Sequence, residues 1–430
     1  MTAELDLVVR GGTVVDAGGS RRADVGLSQG DVVAVQAGLD AGPGVTVLDA
    51  GGCVVAPGLV DLHAHLRQPG MEEAETVESG ARAAALGGYT AVVAMPNTDP
   101  PIDGAAVVRE VLGLGAKSAC DVRVAGAITV GRKGEQLAPL AEMAALGVRL
   151  FTDDGHGVQD GRLMRRAMEY GSALGVVLAQ HCEDASLASG GHMHEGEWSS
   201  LLGIGGVPAE AEELMLARDV ALCRLTGCPV HFLHLSTAGS AALVAAAKGQ
   251  GLPVTAEVTP HHLTLTDAAV ASYDPVYKVN PPLRAQADVD ALRRGLSDGT
   301  IDAVATDHAP HPQEAKEAPF DEAPPGMLGL ETALAVLLTD LDLPVERLLA
   351  LMSWQPARIA GVSGAHGGPI VPGRPANLCV IDPAASWVVE PGRLASRSRN
   401  TPFAGRRLTG RVRHTVLFGE PVVVDGQAQR

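Results

Sequence analysis

At 430 residues with 46% apolar side chains, the chain is long enough for one large domain with an appendage and can fill its core. A formal net charge of −17 excludes an extended nucleic-acid surface, and no unbroken apolar stretch is long enough to span a bilayer. Six cysteines without a CxxC pair (Cys53, Cys120, Cys182, Cys223, Cys228 and Cys379), after a start carrying Glu4 and Asp6 where a secretory signal would be basic, predict a reduced cytoplasmic protein.

Residues 5–49 hold short β-type runs separated by glycine turns. From about residue 50 one rhythm repeats: an apolar run, a polar or glycine-containing loop, then a helical pattern. The apolar runs fall at 54–63, 89–95, 120–128, 148–154, 175–181, 229–235, 253–259 and 302–307. Amphipathic segments at 74–86, 135–146, 160–174, 207–226, 237–249 and 286–297 lie between them. Continuous apolar strands alternating with helices predict a parallel sheet covered by helices, and eight units over about 300 residues match a (β/α)8 TIM-like barrel. A doubly wound open sheet is the competing architecture. The stretch 309–327 is rich in proline and charge and reads as a loop over the end of the eighth strand, with the character of a lid. Residues 368–430 return to the short β-type style. Neither end is large enough to bury a sheet alone, so both are expected to form one small composite β-domain. The resulting expectation is 1–54 and 363–430 for that domain and 55–362 for the barrel.

Chemically able side chains close the apolar runs. His63 and His65 end the first run, with Arg67 next; Asp154 ends the fourth, His181 the fifth, His234 the sixth and Asp307 the eighth. Side chains two apart share a strand face, so His63 and His65 can hold one ion. Barrel enzymes carry their sites where strands end, so all six should meet at one rim. Four imidazoles and two carboxylates provide for a pair of divalent cations roughly 3.5–4 Å apart, with zinc the first expectation. His231 is placed on the opposite strand face from His234 and read as structural. His261 and His262 are read as neighbours of the ligands, and Asp153 as orienting one of them. His156, His192, His194, His366 and His414 are expected to be solvated.

These residues in this order resemble the cyclic amidohydrolases, and most closely the bacterial class I dihydroorotase family. The matching segments include PGLVDLHAHLRQPG (57–70), MPNTDPPID (95–103), FTDDG (151–155), QHCED (180–184), HFLHLST (231–237), EVTPHHL (257–263), VNPPLR (279–284), ATDHAPH (305–311) and PPGMLGLE (324–331). The resemblance implies that His63, His65, Asp154, His181 and His234 bind metal, and it picks Asp154 over Asp153. It implies Asp307 as the acid/base of catalysis, and His65, Arg67, Asn97, Asn280, His311, Pro325 and Gly326 as substrate contacts. Hydantoinases and allantoinases bridge their metals with a carboxylated lysine, whereas no lysine lies between Lys133 and Lys248 here. The implied reaction is the reversible cyclisation of N-carbamoyl-L-aspartate to L-dihydroorotate in pyrimidine synthesis, by a zinc-dependent homo-oligomer. A hydantoinase-type activity is the alternative, as is a non-catalytic partner of aspartate carbamoyltransferase. The full ligand set speaks against the latter.

Overall fold

Alanine- and valine-rich runs build the strands of the computed structural model, which describes residues 4–430. Eight parallel strands follow in chain order: β1 (Leu59–Ala64), β2 (Tyr89–Ala94), β3 (Asp121–Val124), β4 (Leu150–Phe151), β5 (Val177–Gln180), β6 (Val230–Phe232), β7 (Val254–Val258) and β8 (Ala303–Val304). Ladders join β1 to β2 to β3, and β4 to β5 to β6 to β7 to β8. Two bridges close the ring. Gly126 pairs with Phe151 between β3 and β4, and His308 pairs with Ala64 just past β8. The His65 N–H donates to the His308 carbonyl at 2.8 Å in this closure. The expected barrel is therefore formed in simple order, and the open-sheet alternative falls away.

Helices cover the outside, among them Val77–Leu86, Gly161–Leu174, Glu210–Thr226, Ala238–Gly249 and Gln286–Asp298. Helix Gly161–Leu174 begins where the Asp160 side chain accepts from the Leu163 N–H, and it buries Met164, Ala167, Met168 and Gly171 at helical spacing. Inside the ring, Leu62, Val93, Ala125, Leu150, Ala179, Leu233 and Ala303 pack together. Residues on five different strands and just past two more, touching one another, can only fill the lumen, so the barrel is plugged below its rim.

The first apolar run does not form one strand. Val54–Pro57 pairs antiparallel with Leu378–Val388, in a seven-stranded sheet that also takes Thr13–Asp16 and Arg407–Leu417. The chain then crosses into the barrel at Gly58. A Cβ there would lie 2.2 Å from the Thr90 side chain, so only glycine lets the two sheets meet so closely. The composite β-domain thus unites both ends of the chain in one sheet. A four-stranded sheet of Leu7–Arg10, Asp24–Ser28, Asp31–Gln36 and Thr46–Asp49 packs with it through Val9, Val25, Leu27, Val55 and Val380. The six cysteines are buried and free, and among the described residues no helix is long and apolar enough to cross a membrane.

Two histidines expected in solvent are buried. His366 stands between Thr90 and Asp121, 3.1 Å from the Thr90 hydroxyl and 2.8 Å from the Asp121 carboxylate, tying the last linker to the barrel. His414 donates from Nε2 to the Asp49 carbonyl at 3.0 Å within the β-domain. A polar ring in a loop-like sequence context can be a buried crosslink whose partners are far away in the chain. His192 and His194 are half-buried and His156 is exposed.

Candidate metal centre

His63 and His65 leave β1 together and meet the ends of three other strands and the loop after β8. His63 Nε2 lies 3.4 Å from Asp154 Oδ1 and 3.5 Å from Asp307 Oδ1. His65 Nε2 lies 3.0 Å from Asp307 Oδ1 and 3.6 Å from Asp154 Oδ2. His181 Nδ1 and His234 Nε2 come within 2.8 Å of each other, each 3.6 Å from Asp154 Oδ1. Asp154 thus turns one oxygen toward three imidazoles and the other toward His65. Two groups of ligand atoms cluster within 4.8 Å, His63 with His65 and Asp307, and His63 with Asp154 and His234. All six residues that close the apolar runs are brought together and buried.

The donor set fits a metal on one decisive detail. His63 Nδ1 lies 3.0 Å from the buried Glu257 carboxylate, which fixes its proton there. His63 Nε2 is then the free end of the ring, buried and without a hydrogen-bond partner, facing two carboxylates. This is the carboxylate–histidine arrangement that steadies a ligand and raises its basicity. Glu257 also lies 3.0 Å from His231 Nε2, so His231 sits in the lumen below the cage and not on the far strand face. The backbone of His234, at φ +30°, breaks the regular alternation that predicted otherwise. Asp153 touches no ligand: it accepts from the Ile128 and Thr129 backbone N–H groups at 2.8 and 3.0 Å and ties the end of β4 to the loop after β3.

The electrostatics are those of buried imidazoles and carboxylates that compensate one another. Burial would push the Asp154 carboxyl up, but the imidazoles of His63, His181 and His234 hold it well below the usual carboxylate range. Burial likewise opposes a charge on His63, yet Asp154 and Asp307 hold its imidazole well above the usual histidine range. Asp307 is depressed in the same manner, against its burial, by His63 and His65. A bound dication would take the place of those imidazole protons, since ligands must be deprotonated to coordinate.

Beside the cage lies an arm formed by the residues expected to contact substrate. Arg67 is only 8% exposed. Its Nε donates to the Pro310 carbonyl at 3.1 Å, and its Nη2 lies 3.3 Å from His311 Nε2. Asn97 holds His65 Nδ1 at 2.8 Å, and Asn280 Nδ2 is 3.5 Å from His181 Nε2. His311 donates from Nε2 to the Pro325 carbonyl at 2.8 Å. Burial, Arg67 and Lys316 push its pKa down to about 3, so the ring is neutral. Gly326 is buried at φ +147°, and a Cβ there would meet Ala309 and His311 at 2.8 Å. The non-glycine residues at positive φ include Arg67, His234 and Asp307, backbone strain gathered at one site. Within 309–327 the chain forms one short helix, Gln313–Lys316, and otherwise an open loop along this arm.

Sequence reasoning did not assign Glu257, Arg132 or His308. Arg132 donates to the Asp154 carbonyl above the cage, and His308 lies 3.4 Å from the buried Glu75. Glu257 stands in a quoted motif, but its partner His63 enters from a strand far away in the chain. His261 and His262 are buried next to the cage, with His262 Nε2 donating to the Pro281 carbonyl at 2.9 Å.

Comparison with known proteins agrees with this picture. The Dihydro-orotase-like family profile matches residues 52–240. Dihydroorotase of Pelotomaculum thermopropionicum is 48% identical over 98% of this chain and 99% of its own length. That of Streptomyces coelicolor is 52% identical over the same shares. Among solved structures, the L-hydantoinase (dihydropyrimidinase) of Arthrobacter aurescens superimposes with a TM-score of 0.89, covering 99% of this chain and 98% of that one at 26% identity.

Proposed function

This chain belongs to the dihydroorotase family, and from that premise we propose that it interconverts N-carbamoyl-L-aspartate and L-dihydroorotate at the cage of His63, His65, Asp154, His181, His234 and Asp307. The observation that carries the reading is the buried Arg67 guanidinium, fixed by the Pro310 carbonyl two residues along from His65. A planar fork is suited to a carboxylate, and the dihydroorotate ring bears one where hydantoin and allantoin rings do not. Asn97, Asn280, His311 and the Pro325–Gly326 backbone supply the neutral polar contacts for the rest of the ring.

Divalent cations held by the cage, two per chain with zinc first, would acidify a water and polarise the ring carbonyl. Asp154 offers one oxygen to each side of the cage and would help the imidazoles hold the cations there. In hydrolysis, Asp307 takes the proton of the attacking water and passes it to the ring nitrogen as the C–N bond breaks. In cyclisation, Asp307 takes a proton from the carbamoyl nitrogen as that nitrogen attacks the carboxylate carbon and passes it to the departing oxygen, which leaves as hydroxide and takes a second proton from solvent to become water. His65 lies within 3.0 Å of Asp307 and keeps that carboxylate aimed. Arg67 holds the carboxylate that does not react, so the reacting carbon stands over the cage.

The test is turnover of dihydroorotate before chelation, after chelation and after zinc is returned, with hydantoin in parallel. Activity that vanishes and comes back, with strong preference for dihydroorotate, is the expected result. Equal use of both rings would move the assignment to the hydantoinase reading, which the structural likeness to that enzyme favours. The free, buried thiols fit a reducing compartment, and we assign the protein to the cytoplasm. Self-association and association with an aspartate carbamoyltransferase are tested by sedimentation of the chain alone and mixed with that enzyme.

A further inference from the structure

We propose that Asn400, in the segment that follows the barrel, is a positioning residue for the substrate-binding arm. The proposal rests on the reading of Arg67, His311 and Gly326 as that arm. Segment 394–401 leaves the β-domain and lies back across the rim. Glu75 accepts from the Ser396 hydroxyl and, at 3.1 Å, from the Arg397 N–H; the Ser398 hydroxyl donates to the Ala74 carbonyl at 2.8 Å. Asn400 follows, 6% exposed.

Every polar atom of its side chain is spent on the arm. Nδ2 donates to the Ala309 carbonyl at 3.0 Å and to the Gly326 carbonyl at 3.1 Å. Oδ1 accepts from the His311 N–H at 3.3 Å. The Asn400 carbonyl also accepts from the Leu328 N–H at 3.1 Å. One amide therefore joins the 309–311 turn, whose Pro310 carbonyl fixes Arg67, to the 326–328 turn, whose Gly326 backs His311. Only an amide suits this place. It must give two N–H bonds to two buried carbonyls and receive one, which neither a carboxylate nor a hydroxyl can do.

Without that bridge the two turns keep only their direct bonds, Ala309 N–H to the Met327 carbonyl at 2.8 Å and His311 to the Pro325 carbonyl at 2.8 Å, while the cage keeps its own supports in Glu257 and Asn97. The loss should fall on substrate affinity and not on the chemical step. The experiment compares wild-type chain with Asn400→Ala and the equal-sized Asn400→Asp. Its readouts are KM and kcat for dihydroorotate, metal content, and backbone hydrogen exchange across 309–328. Expected are a KM raised about tenfold in both variants, kcat within about threefold, unchanged metal content and faster exchange in 309–328. If Asn400→Ala does not fold, Asn400→Asp alone decides. An active wild type whose variants keep its KM, or an Asp variant that restores it, overturns the role. So does a parallel loss of kcat and metal, which would mark general damage. A wild-type chain that does not turn over dihydroorotate overturns the family-based reading, and this proposal with it.

Discussion

The two halves of the barrel lumen are built on opposite principles. Below, Leu62, Val93, Leu150, Ala179 and Ala303 fill the ring with apolar contact. Above, on the same strands or just past them, buried imidazoles and carboxylates crowd together, and backbone at positive φ recurs at Arg67, His234 and Asp307. The lower half supplies the rigidity with which the upper half holds ionisable groups out of solvent on strained backbone. Damage below should therefore appear as lost stability, and damage above as lost chemistry in a folded protein.

The largest contrast is expected from Asp307→Asn. Turnover of dihydroorotate should fall by about 10²–10⁴-fold, the range for removing a general acid/base, with the melting temperature nearly unchanged. A large kcat remaining would place the proton transfer elsewhere. Next comes Glu257→Gln, which leaves His63 Nδ1 a neutral amide oxygen in place of the carboxylate. Metal affinity should drop by about 10–100-fold in a chelator-competition titration. From the lower half, Leu62→Ala should cost about 2–5 kcal/mol in denaturant unfolding and leave kcat within a small factor, because it opens a cavity and moves no charge. A catalytic collapse there would show that the halves are not separable.

The smallest effect concerns pH and Glu331, a largely buried carboxyl outside the cage. Burial is the leading cause that pushes its pKa up to about 7, although the Ala395 and Ser396 N–H groups donate to it. Between the ordinary value of 4.5 and about 7 the folded chain keeps a proton that the unfolded chain has released. Stability contributed by this group is thus present below that window and lost as pH rises through it. Glu331→Gln should raise the melting temperature by a few degrees at pH 8 and by little at pH 4. Equal shifts at both values would remove Glu331 as the source.

What could be read in advance followed from interruption. Asp154, His181, His234 and Asp307 are legible because a polar group ending an apolar strand has few reasons to be there except to face a site. Glu257 lies within such a strand and looks like a break in its pattern; only the approach of His63 and His231 from other strands gives it meaning. Asn400 and His366 are opaque for the same reason, since a buried crosslink is defined by partners the local sequence does not contain. Gly58 misled in the other direction: the apolar run continues across it, and only the closeness of Thr90 shows that one run serves two sheets.

That shared run has a consequence for how the molecule can be made. Val54–Pro57 finds one of its neighbours in Leu378–Val388, a stretch that emerges from the ribosome long after the barrel's first strand. Until then a chain under synthesis displays an unzipped edge beside its nascent ring, an invitation to mispairing. Shortening the tail from about residue 378 should yield inclusion bodies, although every residue of the cage would still be encoded.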